Sequence, residues 1–388
     1  MNDILDKIIS FITDYNVICI SIGALLGALF LVNIVYEILI YGRIASYRMM
    51  KRRKIRDTEP PVSVVVTLFA EDWDYLDSTL VNLLTQDYHQ FEVVVVYVGN
   101  NSDFFTDLKT LQSHYPLLTP VHIACSPRYP VSTKIALNVG IKSAKYDCII
   151  TTSSDATPKS NRWLSLLAKG FMYGDIVLGY CGIAREKGFK NFIFRAYQFA
   201  ISTAWISAAT RRRAYAASRN AFGYTKELYF GARGFNHLDM DIGEDDLFLQ
   251  KIATPDNVSV VLSPSASCTE RIWGGWSWWW LRVRRLHTTR RYYTVKTSSE
   301  ARIELIFRVL FFLGAFAVIA LLPMLYKLIA LGLLVVRYLI VLLILSRNAR
   351  RIGERGLVGL HFIYDFIEPT IRLFIAMCSR KRLGKRGY

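Results

Sequence analysis

Ser63-Val64-Val65-Val66-Thr67-Leu68, Phe91-Glu92-Val93-Val94-Val95-Val96-Tyr97-Val98 and Cys148-Ile149-Ile150-Thr151-Thr152 are three short apolar runs of strand type. Between them, helical spacing appears over 76–84 and 134–144. Strand, helix, strand, helix, strand predicts an α/β fold with a mostly parallel, Rossmann-like sheet. Such sheets bind ligands beyond the carboxyl ends of their strands. Those ends are the loops at Phe69-Ala70-Glu71, Gly99-Asn100-Asn101 and Ser153-Ser154-Asp155. No G-x-G-x-x-G follows the first run, which argues against a dinucleotide cofactor.

Outside this region the chain turns apolar. Residues 17–40 carry only Ser21, Asn33 and Glu37 as polar interruptions, enough length to span a bilayer. No basic stretch precedes them and no small-residue cleavage site follows, so a signal peptide is disfavoured. Residues 305–322 and 324–346 are apolar again, divided by Pro323. Arg308 lies near one end and can snorkel; Arg337 is deeper and is expected to face protein or a headgroup. Residues 356–377 carry His361, Asp365, Glu368, Pro369 and Arg372, and read as an interfacial helix in preference to the alternative, a third C-terminal span.

The expected organisation of the 388 residues follows. Residues 1–42 hold an N-terminal transmembrane helix and 43–59 a basic cytosolic linker. Residues 60–300 form the α/β domain, with a Trp/Arg interface segment at 273–293. Residues 301–346 form a transmembrane hairpin, and 347–388 a basic C-terminal region with the interfacial helix. The net charge of +17 gathers at Arg43 to Arg56, Arg282 to Arg291, Arg347 to Arg355 and Arg380 to Arg386, each close to an apolar stretch. Basic flanks of this kind place the domain in the cytosol, against the anionic face of the cytoplasmic membrane. Nucleic acid is not expected as a partner, since a nucleic-acid binder needs no apolar segment beside every basic run. The six cysteines are scattered without C-x-x-C spacing, as in a reduced compartment.

Four stretches can carry chemistry. Gly243-Glu244-Asp245-Asp246-Leu247 puts three carboxylates at a helix start. Either they complement the helix dipole, or mutual repulsion raises one pKa and makes a proton acceptor. Ser153-Ser154-Asp155 ends a central strand, where Asp155 either caps a turn or holds Mg2+ or Mn2+ against a diphosphate. Arg219-Asn220-Ala221-Phe222-Gly223-Tyr224 mixes guanidinium, amide and phenol, a set suited to polyhydroxyl ligands as well as to a plain polar loop. Trp273, Trp276, Trp278, Trp279 and Trp280 run into Arg282, Arg284 and Arg285. That segment fits a membrane-interface belt, or a sugar-stacking wall beside an arginine for a diphosphate.

Taken in order, residues 60–293 resemble the membrane-bound inverting glycosyltransferases of family 2, which have the GT-A fold. Pro60-Pro61-Val62-Ser63-Val64-Val65-Val66 with Glu71 resembles the opening strand, and Lys134-Ile135-Ala136-Leu137-Asn138-Val139-Gly140 the helix near the donor. Ser153-Ser154-Asp155 occupies the D-x-D metal motif, and Gly243-Glu244-Asp245-Asp246 the acidic motif that supplies the base. Leu281-Arg282-Val283-Arg284-Arg285 falls where many members have Q-x-x-R-W, and aligned this way only Arg284 is kept. Ser153 replaces the first acid of D-x-D, and Tyr97-Val98 stand where an aspartate pair usually contacts the nucleoside.

The resemblance implies transfer of a sugar from a nucleotide sugar, UDP-linked by preference, to a lipid-linked or glycan acceptor. Asp245 would be the base, oriented by Glu244. Glu71, Lys134, Asn138, Asp155 and Arg284 would face the donor, with the divalent cation on Asp155. Arg219, Asn220, Asp246 and Trp276 would face the acceptor. With about three spans, addition of one or a few sugars is favoured over a processive synthase; a non-catalytic scaffold of the same fold is the alternative that Ser153, Tyr97 and Val98 motivate.

Overall fold

The computed structural model of the protein describes residues 2–126, 128, 130–236, 242–359 and 361–378. The basic run Arg380 to Arg386 lies outside them. The main sheet begins with β1 (Val62–Leu68), β2 (Phe91–Val98), β3 (Leu118–Ile123) and β4 (Cys148–Ser153). The three apolar runs of the sequence are β1, β2 and β4, and all their residues are buried. β1 pairs in parallel with β2 on one side and with β4 on the other. β3, which the sequence reading passed over, adds in parallel beside β2. It is short and only half-buried, with Pro120 inside it, so its pattern is weak.

A turn after β4 leads to β5 (Ala156–Pro158), and later segments supply β6 (Ile176–Leu178), β7 (Cys181–Ile183), β8 (Phe222–Thr225), β9 (Val258–Val260) and β10 (Cys268–Glu270). The order across the main sheet is β3-β2-β1-β4-β8-β6-β9, with β8 antiparallel to both its neighbours. The strand order reverses around β1 and β4, so a crevice opens beyond their carboxyl ends. A second sheet, β5-β10-β7, stands beside it. Its β5–β10 pairing aligns Ala156 with Glu270 and thereby brings Asp155 next to a segment more than a hundred residues away. The Arg271 amide donates to the Asp155 carbonyl at 2.9 Å.

The helix expected over 134–144 is Thr133–Ser143, started by Ser132, whose hydroxyl accepts from the Ile135 amide. It lies directly on β1 and β2. A Cβ at Gly140 would come within 2.5 Å of Val65 Cγ1 and 2.9 Å of Val96 Cγ2, so only glycine permits this approach.

Three helices are long and apolar enough to cross a membrane: Asn16–Ser46, Ile303–Leu321 and Met324–Ile352. They pack on one another, and the Asn33 amide donates to the Phe307 carbonyl at 3.1 Å. Pro323 starts the third, which continues past Ser346 to Ile352 and ends on Gly353 at φ +80°. Immediately after, Glu354 is buried against the globular domain, taking a bond from Arg195 at 2.7 Å and one from the Tyr180 hydroxyl at 3.0 Å. The helix His361–Cys378 is not among the three apolar spans. Its Asp365 and Glu368 are buried and pair with Arg308 at 2.9 Å each, and Asp365 also pairs with Arg337. Arg337 therefore faces protein, one of the two surroundings the sequence allowed.

Candidate active site

A cavity of about 520 Å³ opens at the carboxyl ends of β1 and β4, where Thr67, Phe69 and the Ser153–Asp155 turn line its floor. The helices Phe189–Thr210 and Trp276–Thr289 supply Gln198, Arg282 and Arg285 to its wall, and the segment 242–246 closes it. This volume is typical of a small-molecule site.

The acidic stretch divides its labour residue by residue. Gly243 has φ +108°, a left-handed conformation that turns the chain into the cavity. Asp246 is the helix cap: it accepts from the Leu247 amide at 2.7 Å and from the Tyr293 hydroxyl at 2.7 Å, and Thr289 bonds it as well. With those partners it ties the acidic loop to the end of the Trp276–Thr289 helix. Among the described residues nothing hydrogen-bonds the Asp245 carboxylate, and its backbone carbonyl accepts from the Ala217 amide at 3.1 Å. Desolvation, with Asp246 and Glu244 beside it, raises the Asp245 carboxyl to about 8, against the opposing pull of Arg219 and Arg285. Glu244 is buried, and among the described residues its Oε2 has no hydrogen-bond partner.

Facing these acids are three guanidiniums. Arg282 donates to buried Glu270 at 2.7 Å and to Gln198 at 3.3 Å, and lies over the Trp278 ring at 5.5 Å. Burial and the nearby positive charge of Arg219 lower the Arg285 pKa, so those two cations sit close together on the cavity wall. Arg284 is not among the lining residues. Residues three apart share a helix face, so Arg282 and Arg285 line the cavity together while Arg284, the residue the resemblance keeps, does not. That spacing was visible in the chain and could have identified the pair.

Asp155 lines the floor and accepts from the Trp273 indole at 2.6 Å. Burial raises its pKa, with Trp273 and Arg219 pulling the other way. Ser153 donates to the Asn220 amide oxygen at 2.8 Å, and the Asn220 nitrogen approaches the Cys181 sulfur at 3.9 Å. Asn220 therefore lines the cavity with both ends of its amide engaged. Among the described residues no three His, Cys, Asp or Glu side chains group as metal ligands.

The remaining expected residues lie apart from this cavity's lining. Glu71 is exposed beyond β1, and accepts from the Tyr97 hydroxyl and the Asn101 amide, both at 2.9 Å. Tyr97, standing where the resemblance expects an acid, is buried and holds Glu71 in place. Asn138 accepts from the Tyr229 hydroxyl at 3.0 Å, an internal tie. Lys134 follows Thr133, which does line the cavity. Trp276 packs edge-on against Phe194 and Trp279 with much of its ring exposed, whereas Trp273 and Trp278 line the cavity in its place.

The family model described as glycosyl transferase family 21 matches residues 25–376. Among solved structures, the mannosyltransferase PcManGT from Pyrobaculum calidifontis, in complex with GDP-Man and Mn2+, is 18% identical and superposes with a TM-score of 0.54. That likeness covers 85% of this chain and 96% of the other, and it shows a shared fold. S. aureus TarS 1-349 in complex with UDP-GlcNAc is 16% identical over 81% of this chain and 92% of its own, with a TM-score of 0.40. No curated protein matches.

Proposed function

The chain belongs to glycosyl transferase family 21, and we propose that it moves a sugar from a nucleoside diphosphate to an acceptor hydroxyl with inversion. Glycosyltransferase activity follows from the family; the roles of individual residues are our reading of the cavity. One observation supports them most: a half-buried carboxylate raised to about 8 shares a single cavity with two adjacent, partly desolvated arginines. A proton acceptor opposite an anion clamp is what a displacement of diphosphate needs.

In this reading the acceptor oxygen attacks the anomeric carbon, the bond from that carbon to the diphosphate oxygen breaks, and the hydroxyl proton passes to Asp245. General-base help of this kind contributes about 10²–10⁴-fold. Arg285 and Arg219 meet the charge that grows on the leaving diphosphate, in a cavity whose low dielectric strengthens the interaction. Arg219 thus moves from the acceptor side, where the sequence put it, to the diphosphate. Arg282 is fixed by Glu270 and orients the helix that carries Arg285. Glu244 places a second acidic oxygen behind Asp245, and Asp246 holds the loop in position.

A divalent cation fits the floor in a restricted way. Asp155 offers one carboxylate, and magnesium or manganese sites of this class take one or two carboxylates with the rest from substrate phosphates and water. Bound there, the cation would neutralise diphosphate charge. Trp273, by holding one oxygen of Asp155, leaves the other for it. Glu71, beyond β1, and Lys134, at the start of the helix Thr133–Ser143, are proposed to face the nucleoside, with buried Tyr97 holding Glu71 in place. The apolar spans and basic flanks favour a cytosolic membrane face, where a soluble donor meets a lipid-linked acceptor.

The test is nucleotide release by purified full-length protein across UDP- and GDP-sugars, with Mn2+, Mg2+ or chelator. GDP-sugars belong in the panel because the Pyrobaculum mannosyltransferase was solved with GDP-Man. The expected result is release from one donor class, dependent on the cation and lost in Asp155→Ala. Neither binding nor release with any donor would overturn the reading in favour of a scaffold.

A further inference from the structure

The helix Met324–Ile352 ends against the small sheet β5-β10-β7, and it meets that sheet along one edge. Lys159 follows β5, Tyr180 precedes β7 and Ser267 precedes β10. Backbone bonds from the Lys159 amide to the Ser267 carbonyl at 3.0 Å and from the Cys268 amide to the Tyr180 carbonyl at 3.1 Å align the three positions. Each then bonds the helix end. The Lys159 ammonium donates to the Gly353 carbonyl at 3.1 Å, the Ser267 hydroxyl to the Ile352 carbonyl at 2.9 Å, and the Tyr180 hydroxyl to Glu354 at 3.0 Å. The other edge of the same sheet reaches the cavity, where Asp155 precedes β5 and Glu270 ends β10. We infer that Glu354 is a positioning residue for sugar transfer, holding the small sheet so that Asp155 and Arg282 keep their places in the cavity. The inference rests on the diphosphate and cation site assigned to that cavity.

An acid is an unexpected choice at this point. Gly353, at φ +80°, closes the helix, and the Glu354 amide donates to the Ala349 carbonyl at 2.8 Å, the pattern of a glycine cap. The residue after such a glycine usually packs an apolar side chain back on the helix. The partial negative charge of a helix C-terminus also opposes a carboxylate beside it. Glu354 is nonetheless buried, and its charge is met by Arg195, itself buried, at 2.7 Å. An apolar pair in that place would serve stability as well. What the ion pair adds is a fixed direction. A Cβ at Gly182 would collide with Glu354 Oε1, so the carboxylate lies directly against β7.

Two routes lead from Glu354 to the cavity, and they meet at Arg282. Arg195 lies three residues before Gln198 on the helix Phe189–Thr210, so the two share a face, and Gln198 accepts from Arg282 at 3.3 Å. The second route runs through the sheet: β7 pairs with β10, whose Glu270 accepts from Arg282 at 2.7 Å. β10 in turn pairs with β5, and the segment after β10 fixes Asp155 twice. The Arg271 amide holds its carbonyl, and the Trp273 indole holds its carboxylate. A shift of the sheet would therefore move Asp155 relative to Arg219, which another element carries into the cavity.

The experiment is calorimetric titration of the full-length protein in detergent with Mn2+–UDP and with Mn2+–GDP, which carry no sugar to transfer. Wild-type protein should bind one of the two, one complex per chain, and Asp155→Ala should lose it. Glu354→Gln keeps the side chain's shape and an oxygen for Tyr180 but cannot meet the Arg195 charge. It should bind about tenfold more weakly, the lower end of what loss of a supporting residue does to a metal site. Arg56→Gln, which breaks the ion pair with Asp175 elsewhere in the domain, should bind as wild type does. A lowered melting temperature with wild-type affinity in Glu354→Gln would make Glu354 a structural residue and overturn the proposal. Binding of neither complex by wild-type protein, or undiminished binding in Asp155→Ala, would instead overturn the diphosphate and cation site, and the proposal with it. If Glu354→Gln does not fold, the double variant Tyr180→Phe, Ser267→Ala lacks only two hydroxyl bonds and decides in its place. Binding about tenfold weaker there supports the proposal, and unchanged affinity overturns it.

Discussion

Arg285 and Arg284 are neighbours in sequence and separate in function on this account. Arg285→Gln removes a desolvated cation from the wall opposite Asp245 and should lower kcat on the order of 10²-fold, as loss of one preorganised charge-stabilising group does. Arg284→Gln, outside the cavity, should stay within about twofold. Steady-state kinetics on the two variants measures the contrast, and equal losses would contradict the placement. The same pair shows how a residue-level reading can go astray. The resemblance to Q-x-x-R-W keeps Arg284, whereas the helix face brings Arg282 and Arg285 to the cavity. Asp245 could be proposed from the chain alone, because one cap among three adjacent acids at a helix start leaves two carboxylates for other work. That Asp246 would be the cap depended on Tyr293 and Thr289, whose approach is tertiary.

Among the elements, the buried charges that join the last helix to two of the long apolar helices are the most exposed to failure. Asp365 accepts from both Arg308 and Arg337, and all three side chains are nearly inaccessible. Burying a pair of charges gains little over an apolar core, but removing one partner leaves the others uncompensated, at a cost of about 3–5 kcal/mol. Asp365→Ala should therefore lower thermal stability in detergent markedly, while Asp365→Glu should retain more of it; an unchanged melting temperature in Asp365→Ala would refute the role. The parallel strands β1, β2 and β4 were readable as continuous apolar runs. β8 was not, since Phe222-Gly223-Tyr224-Thr225 sits inside a polar motif and its antiparallel pairing with β4 reflects where the chain returns. The small sheet of three-residue strands has no periodicity to detect, yet it is what carries Trp273 to Asp155.

At the level of the whole molecule, hydropathy pointed to three long apolar helices and an α/β body, and the structure has three helices long and apolar enough to cross a membrane beside a mostly parallel sheet. What this left dark was how the α/β body meets the first apolar helix: the Ser207 hydroxyl donates to the Ile40 carbonyl at 2.6 Å, a contact that only folding creates. The cavity at the carboxyl ends of β1 and β4 is assembled across long sequence separations, and its lining side chains converge from different elements. The reaction cavity holds the central claim, that Asp245 is the proton acceptor of a sugar transfer. The measurement that bears on it most directly is kcat/KM against pH for wild-type protein and Asp245→Asn, with the donor that the panel identifies. A base raised to about 8 is largely protonated below that pH and free above it. The wild-type rate should therefore climb about tenfold per pH unit and level off above pH 8. In folded Asp245→Asn that ascending limb should vanish and the rate fall by about 10²–10⁴-fold. Near-wild-type turnover in that variant, with the same pH profile, would contradict the account.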